Sequence, residues 1–217
     1  MSVVCIYSGG MDSFTLVNEA HRNGALHSCL SFDYGQKHSK ELYYARAVCR
    51  ELGVLHHTIH LAGLKPHLLG SALTDNVDMP EGEYNEPSMK LTVVPNRNMI
   101  MLSIAIAYAV SHKLDWVWFG AHAGDHEIYP DCREEFVTVM DHAAQISNWH
   151  TVRVKAPYQH MDKGDILALG YGWGLDYAKT WTCYQGGTYA CGKCGACQER
   201  LAGFVKIGKK DPLEYAV

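Results

Sequence analysis

The stretch YSGGMDSF (7–14) directly follows the apolar run VVCI (3–6), and its reading decides the fold. A short apolar, β-branched run that ends shortly before a pair of glycines reads as a buried strand. Gly9 and Gly10 allow a tight turn, and a helix opening near Asp12 runs to the stop signal Asn23-Gly24. Such a turn brings backbone N–H groups and the positive end of a helix to one point, which is a cradle for phosphate. Tyr7, Ser8, Gly9, Gly10, Met11, Asp12, Ser13 and Phe14 are therefore candidate nucleotide-binding residues. An ordinary strand-to-helix turn capped by Ser or Asp leaves a similar local signature. No Lys stands before the Ser, so the lysine-bearing loop of γ-phosphoryl transfer is absent.

Working outward, strand-like runs recur at 26–32, 54–60, 115–119 and 152–154, with helical patterns at 39–52 and 98–112 between them. Strands alternating with helices of this length predict an α/β fold, a parallel five-stranded sheet with helices on both faces. Ligands on such sheets bind at the carboxyl ends of strands. Polar segments sit at those places: SGGMDS after the first strand, DYGQKH after the second and GAHAGD after the fourth. Asp33, Tyr34, Gln36 and His38 would thus lie beside the glycine loop. The helix at 98–112 is apolar nearly all round and is expected to be buried on several sides. The segment 61–89 ends in MPEGEYNEP and reads as a surface excursion or lid. From about Tyr171 the chain turns Gly- and Cys-rich, which divides it into a main domain at 1–170 and a small subdomain at 171–217.

Composition sets bounds. The 217 residues are 47% apolar and 19% charged, enough for a sizeable core. A net charge of −4 argues against a chain devoted to nucleic acid, and against a zinc-ribbon module acting on RNA. Met1 runs straight into VVCIY without a basic-then-apolar leader, and no apolar run approaches the ~20 residues of a membrane helix. The expected location is the cytoplasm, with no membrane partner; a homodimer is left open.

Eight cysteines divide into a scattered group, Cys5, Cys29, Cys49 and Cys132, and a bunched one, Cys183, Cys191, Cys194 and Cys197. Cys5, Cys29 and Cys49 sit in strand and helix patterns as small buried hydrophobes. Cys191, Cys194 and Cys197 form C-x2-C-x2-C, and seven residues separate them from Cys183. Four thiolates at this spacing can close a tetrahedral zinc site, one per chain, structural because it is coordinatively complete. An iron–sulfur cluster could use the same run. Arg97, in VPNRN (94–98), opens an apolar helix whose positive end disfavours it, so it is read as facing an anion. IYPDCREEF (128–136) places Asp131 and Arg133 before another helix, where Asp131 could equally be a cap. His122 and His126 are four apart, but the intervening glycine makes a helical metal face improbable.

SGGMDS resembles the SGGxDS signature of the PP-loop ATP pyrophosphatases, whose fold is that of the adenine nucleotide α-hydrolases and which release pyrophosphate from ATP. Together with SFDYGQKH and the following Glu41, SALT, VPNRN, YPDCREEF, APY with Lys163 downstream, TWTCY, CGKCGACQER and DPLEY, it resembles the 7-cyano-7-deazaguanine synthase family of queuosine biosynthesis. The likeness spans nearly the whole chain. It implies a ligase that joins ammonia to 7-carboxy-7-deazaguanine with ATP and Mg²⁺, through an acyl adenylate and an amide, to the nitrile. It implies pyrophosphate on Ser8, Gly9, Gly10, Asp12 and Ser13, charge stabilisation by Arg97, Arg133 and Lys163, purine or proton handling by Asp131 and Asp33, and zinc on Cys183, Cys191, Cys194 and Cys197. The chain departs from the family's usual residues at His122 and His126 and at Gly195-Ala196, which leaves open an enzyme that stops at the amide.

Overall fold

A computed structural model describes residues 1–37, 39–75, 78–81 and 87–216. Among them β1 (Val3–Ile6), β2 (Leu26–Asp33), β3 (Leu55–His60), β4 (Trp116–Trp118) and β5 (Arg153–Lys155) form one sheet in the order β3-β2-β1-β4-β5. Every pairing is parallel. The α/β reading of the sequence therefore holds, with five strands as expected.

The period of two along β1 explains how both faces are covered. Val3 and Cys5 pack with α1 (Met11–Arg22) and α2 (Lys40–Glu51). Val4 points the other way, into a cluster with α3 (Arg97–Ser111) and α4 (Glu134–Ile146). α5 (Lys163–Gly172) and α6 (Gly195–Lys206) add Ile166, Leu167 and Phe204 to the α1 side. β1 lies between β2 and β4, so the chain leaves the centre in one direction and returns in the other. A crevice opens at the carboxyl end of such a switch point.

Two expectations need correction. The Met89–Ser111 stretch reaches the length and mean hydropathy, 1.3, of a membrane helix, which apolar run lengths did not indicate. Its α3 part instead buries Met101, Leu102, Ala105, Ile106 and Ala109 against the sheet and leaves Met99 exposed, so it is not enclosed all round. The 61–89 segment is not purely surface, because Ala72, Leu73 and Met89 are buried. Its polar tip at 82–86 lies outside the described residues.

The end of the chain is locked by Arg200, whose side chain is wholly buried. Its guanidinium donates to both carboxylate oxygens of Asp211, at 2.7 and 2.9 Å, and to Thr180, Thr182 and the Tyr177 carbonyl. A buried pair of this geometry is strongly destabilised when one partner is removed. Arg200→Met should lower unfolding free energy by about 3–5 kcal/mol in urea titrations. A loss below about 1 kcal/mol would show that the network leaves stability unaffected.

Candidate active site

The glycine loop is shaped by its own hydroxyls. Ser8 and Ser13 share a 2.9 Å hydrogen bond, Ser13 donates to the Gly10 carbonyl at 3.1 Å, and the Gly10 N–H donates to Ser8 at 3.2 Å. Gly9 has φ +93°, a left-handed conformation that favours glycine. A Cβ there would run into the Glu41 carbonyl of α2, so glycine is required for packing as well. The Trp181 N–H donates to the Gly9 carbonyl at 3.0 Å, tying TWTCY to the loop.

The loop borders a cavity of about 230 Å³ at the carboxyl ends of β1, β2 and β4. One end holds a charge cluster. Lys163, at the start of α5, lies 3.2 Å from Asp12 and 2.7 Å from Glu199 of α6. His122 places Nε2 3.6 Å from Asp125, 3.8 Å from Glu199 and 3.9 Å from Asp12. The Gly124 N–H donates to His122 Nδ1 at 3.1 Å, which leaves Nε2 to carry the proton toward those carboxylates. Burial would raise the Asp12 carboxyl, but Lys163 and His122 outweigh it and hold Asp12 below the usual carboxylate range. For Glu199 burial prevails, and its carboxyl is raised despite the same two partners. Lys163 stays charged: burial disfavours its ammonium, and Asp12 and Glu199 more than reverse that.

Elsewhere the cavity wall includes the aromatic side chains of Tyr34, Tyr129, Tyr184 and Trp181 beside Leu73, Met101 and Arg97. Arg97 hydrogen bonds the Tyr34 hydroxyl and lies 5.8 Å from the centre of the Tyr129 ring. Glu41 and Gln36 line the same region.

The structure thus brings Ser8, Gly10, Asp12, Ser13, Tyr7, Tyr34, Arg97 and Lys163 to one cavity. Gly9, Met11 and Phe14 support the loop from behind and do not line it, the last two as buried core residues. Asp33 turns away to His60, 3.1 Å off. Asp131 accepts from the Asn98 N–H at 3.0 Å and so caps α3 from outside that helix. Arg133 is exposed and donates to the His126 carbonyl at 2.8 Å. Asp33, Asp131 and Arg133 are absent from the cavity wall. His38 lies outside the described residues. Nothing in the sequence assigns Glu199 or Asp125 a role, and His122 reads there as a metal-ligand candidate and as a departure from the family's usual residues. The signal for them is the short polar runs GAHAGD and CQER beside strand or cysteine motifs.

Behind the cavity, the Sγ atoms of Cys183, Cys191, Cys194 and Cys197 all lie within 4.8 Å of one another. N–H groups of Cys191, Lys193 and Cys194 point at sulfurs at 3.3–3.4 Å. Four converging thiols with donors on the sulfurs match the needs of a tetrahedral zinc, at Zn–S about 2.3 Å. A metal there would be held by these four residues and would have no open position for chemistry.

A parallel sheet, a lysine-free glycine loop at a helix start and a charged cleft at the switch point define the class: an ATP-using enzyme of the PP-loop type. The family model "Queuosine biosynthesis protein QueC" matches residues 2–208, and the chain belongs to that family. It is 56% identical over 214 residues to the 7-cyano-7-deazaguanine synthase of Alteromonas mediterranea, covering 99% of this chain and 98% of that one. With 7-cyano-7-deazaguanine synthase 1 of Colwellia psychrerythraea the identity is 55% over 213 residues, 98% of each chain. The solved NMN synthetase of Francisella tularensis shares the fold, with TM-score 0.54 and 14% identity over 96% of this chain and 78% of that one.

Glu199 holds Lys163 at the mouth of the loop, so Glu199→Gln should slow pyrophosphate release about 10- to 100-fold, the range expected for one lost charge-assisted hydrogen bond. Metal content should stay unchanged. An unaltered rate would remove Glu199 from the set that positions Lys163.

Proposed function

We propose that the chain converts 7-carboxy-7-deazaguanine and ammonia to 7-cyano-7-deazaguanine with consumption of two ATP, in the cytoplasm. The observation that carries the mechanism is the buried Lys163, held by Asp12 beside a lysine-free glycine loop. A carboxylate is a poor electrophile, so its oxygen first attacks the α-phosphorus of ATP and pyrophosphate leaves. N–H groups of the loop, the hydroxyls of Ser8 and Ser13 and the α1 N-terminus hold the departing pyrophosphate, and Lys163 neutralises charge that builds in the transition state. Ammonia then attacks the acyl carbon and AMP leaves, giving the amide. The amide oxygen attacks a second ATP in the same way, and loss of AMP with the remaining amide protons leaves the nitrile.

Water would return the acyl adenylate to the acid, and the aromatic side chains of Tyr129, Tyr184 and Trp181 in the wall favour a drier site. Among the described residues Asp12 Oδ1 is buried without a hydrogen-bond partner, a hard oxygen ligand suited to the Mg²⁺ that accompanies ATP. Zinc on the four cysteines would fix the start of α6 and supply no step of the reaction.

Incubation with the acid, ATP and ammonium should yield the nitrile by mass, with AMP and pyrophosphate at two per product. Accumulation of the amide alone would overturn the nitrile step, and no AMP at all would overturn the reading. Metal analysis should find one zinc per chain, and stripping it with a chelator should lower the melting temperature by several degrees or more, since structural zinc contributes directly to folding. Iron with sulfide in its place would overturn the zinc assignment.

A further inference from the structure

Among the described residues, four carboxylates line the cavity: Asp12, Asp125, Glu199 and Glu41. The first three surround His122 and Lys163. Glu41 stands apart, on the first turn of α2, with Arg97 as its cationic neighbour and the Gln36 amide 3.5 Å from Oε1. Gln36 is itself fixed, accepting from the Tyr34 N–H at 2.9 Å and donating to the Phe32 carbonyl at 3.3 Å. The carboxylate thus lines the cavity near Tyr34 and Arg97, beside a Gln36 side chain braced by two backbone hydrogen bonds.

We propose that Glu41 is the specificity-determining residue for the deazaguanine, accepting hydrogen bonds from the ring N1–H and the exocyclic 2-amino group. The inference rests on the reaction proposed above. A guanine-type ring presents these two donors side by side, and a carboxylate has two acceptor oxygens to meet them. Adenine offers an acceptor next to a donor on the corresponding edge, so its N1 lone pair would face the carboxylate and be repelled. This end of the cavity therefore selects the acid to be activated over the base of ATP. The bicyclic ring adds a geometric reason. Its 7-carboxyl lies on the opposite side from the N1 and 2-amino edge, so anchoring that edge at Glu41 turns the carboxyl away from Glu41 into the cavity that Lys163 and the glycine loop also line. Burial pushes the free Glu41 carboxyl up to about 7, against the pull of Arg97 and Gln36. Its anion is under-solvated in the empty cavity, which two ring N–H donors would remedy.

The test uses the zinc-loaded full chain and calorimetry without ATP. The probes are 7-cyano-7-deazaguanine and its counterpart lacking the 2-amino group. The wild type should bind the amino compound ~100-fold or more tightly, because a site built for a donor rejects an analogue lacking it. Glu41→Gln should shrink that ratio to ~10-fold or less, and should raise KM for the acid while leaving KM for ATP in place. A wild-type ratio near one overturns the proposal with no variant needed. So does a Glu41→Gln protein that keeps the full ratio or loses ATP affinity instead. Discrimination between the probes by an enzyme that forms no AMP from the acid would sustain the subsite and sink the reaction, so the two failures are distinguishable.

Discussion

The ammonium of Lys163, placed between Asp12 and Glu199 with little access to solvent, is the interaction on which the site's geometry depends. Asp12 lies in the first turn of α1, Lys163 begins α5 and Glu199 sits on α6, so one charge joins three helices from distant parts of the chain. A buried cation left without its partners is destabilising by several kcal/mol, so these helices dock together or not at all. Docking them also sets the floor of the cavity. The α1 N-terminus and Lys163 face the same space, and their positive potentials add where a phosphate would sit. Asp12 and Glu199 keep that potential from being excessive in the empty enzyme.

The cysteine loop acts on this arrangement from behind. α6 starts at Gly195, with Cys194 as its cap residue, and Glu199 follows Cys197 by two positions. The helix that carries an active-site carboxylate therefore begins inside the four-thiol cluster. Arg200 pins the adjoining side of the same helix through Asp211, Thr180 and Thr182. Thr182 and Ala196 line the cavity, so the cysteine-rich segment is part of its wall. Isolated Glu81 also pairs with Cys194 as an antiparallel bridge, bringing the 61–89 excursion onto the same loop.

Much of this was legible in the residues, and the rest was not for definite physical reasons. VVCI, the glycines after it and the alternation of strand and helix patterns are local signals, and local signals place the sheet and its phosphate loop. C-x2-C-x2-C is likewise local, and its three sulfurs do converge with that of Cys183. Asp131 and Arg133 show the limit. A carboxylate before a helix looks alike whether it caps, as Asp131 does for a helix starting more than thirty residues earlier, or reacts. Glu199 and Glu41 show the converse, because a carboxylate inside a helix is usually solvated. Only the meeting of α2, α5 and α6 at the cavity makes these two special, and no stretch of sequence contains that meeting. Leu73 lines the cavity from a segment whose prolines and acids read as surface, since periodicity fails where short 3₁₀ turns replace regular helix.

Two activations at one loop make a further demand that the cavity's layout meets. The nucleophile changes from a carboxylate oxygen to an amide oxygen, but both are attached to the same ring carbon substituent. A site that grips the ring by its far edge can present either oxygen to an α-phosphorus without releasing the ring. Pyrophosphate and AMP must leave between the two rounds, and a second ATP must enter, so the nucleotide end has to open while the ring end stays closed. The observed division matches that need. Lys163, His122, Asp12, Asp125 and Glu199 gather at the nucleotide end, and Tyr34, Tyr129 and Tyr184 with Gln36 and the separate Glu41–Arg97 pair form the other. On the proposed reaction, a cavity with two ends of different composition would let one loop serve both rounds while the intermediate amide is retained.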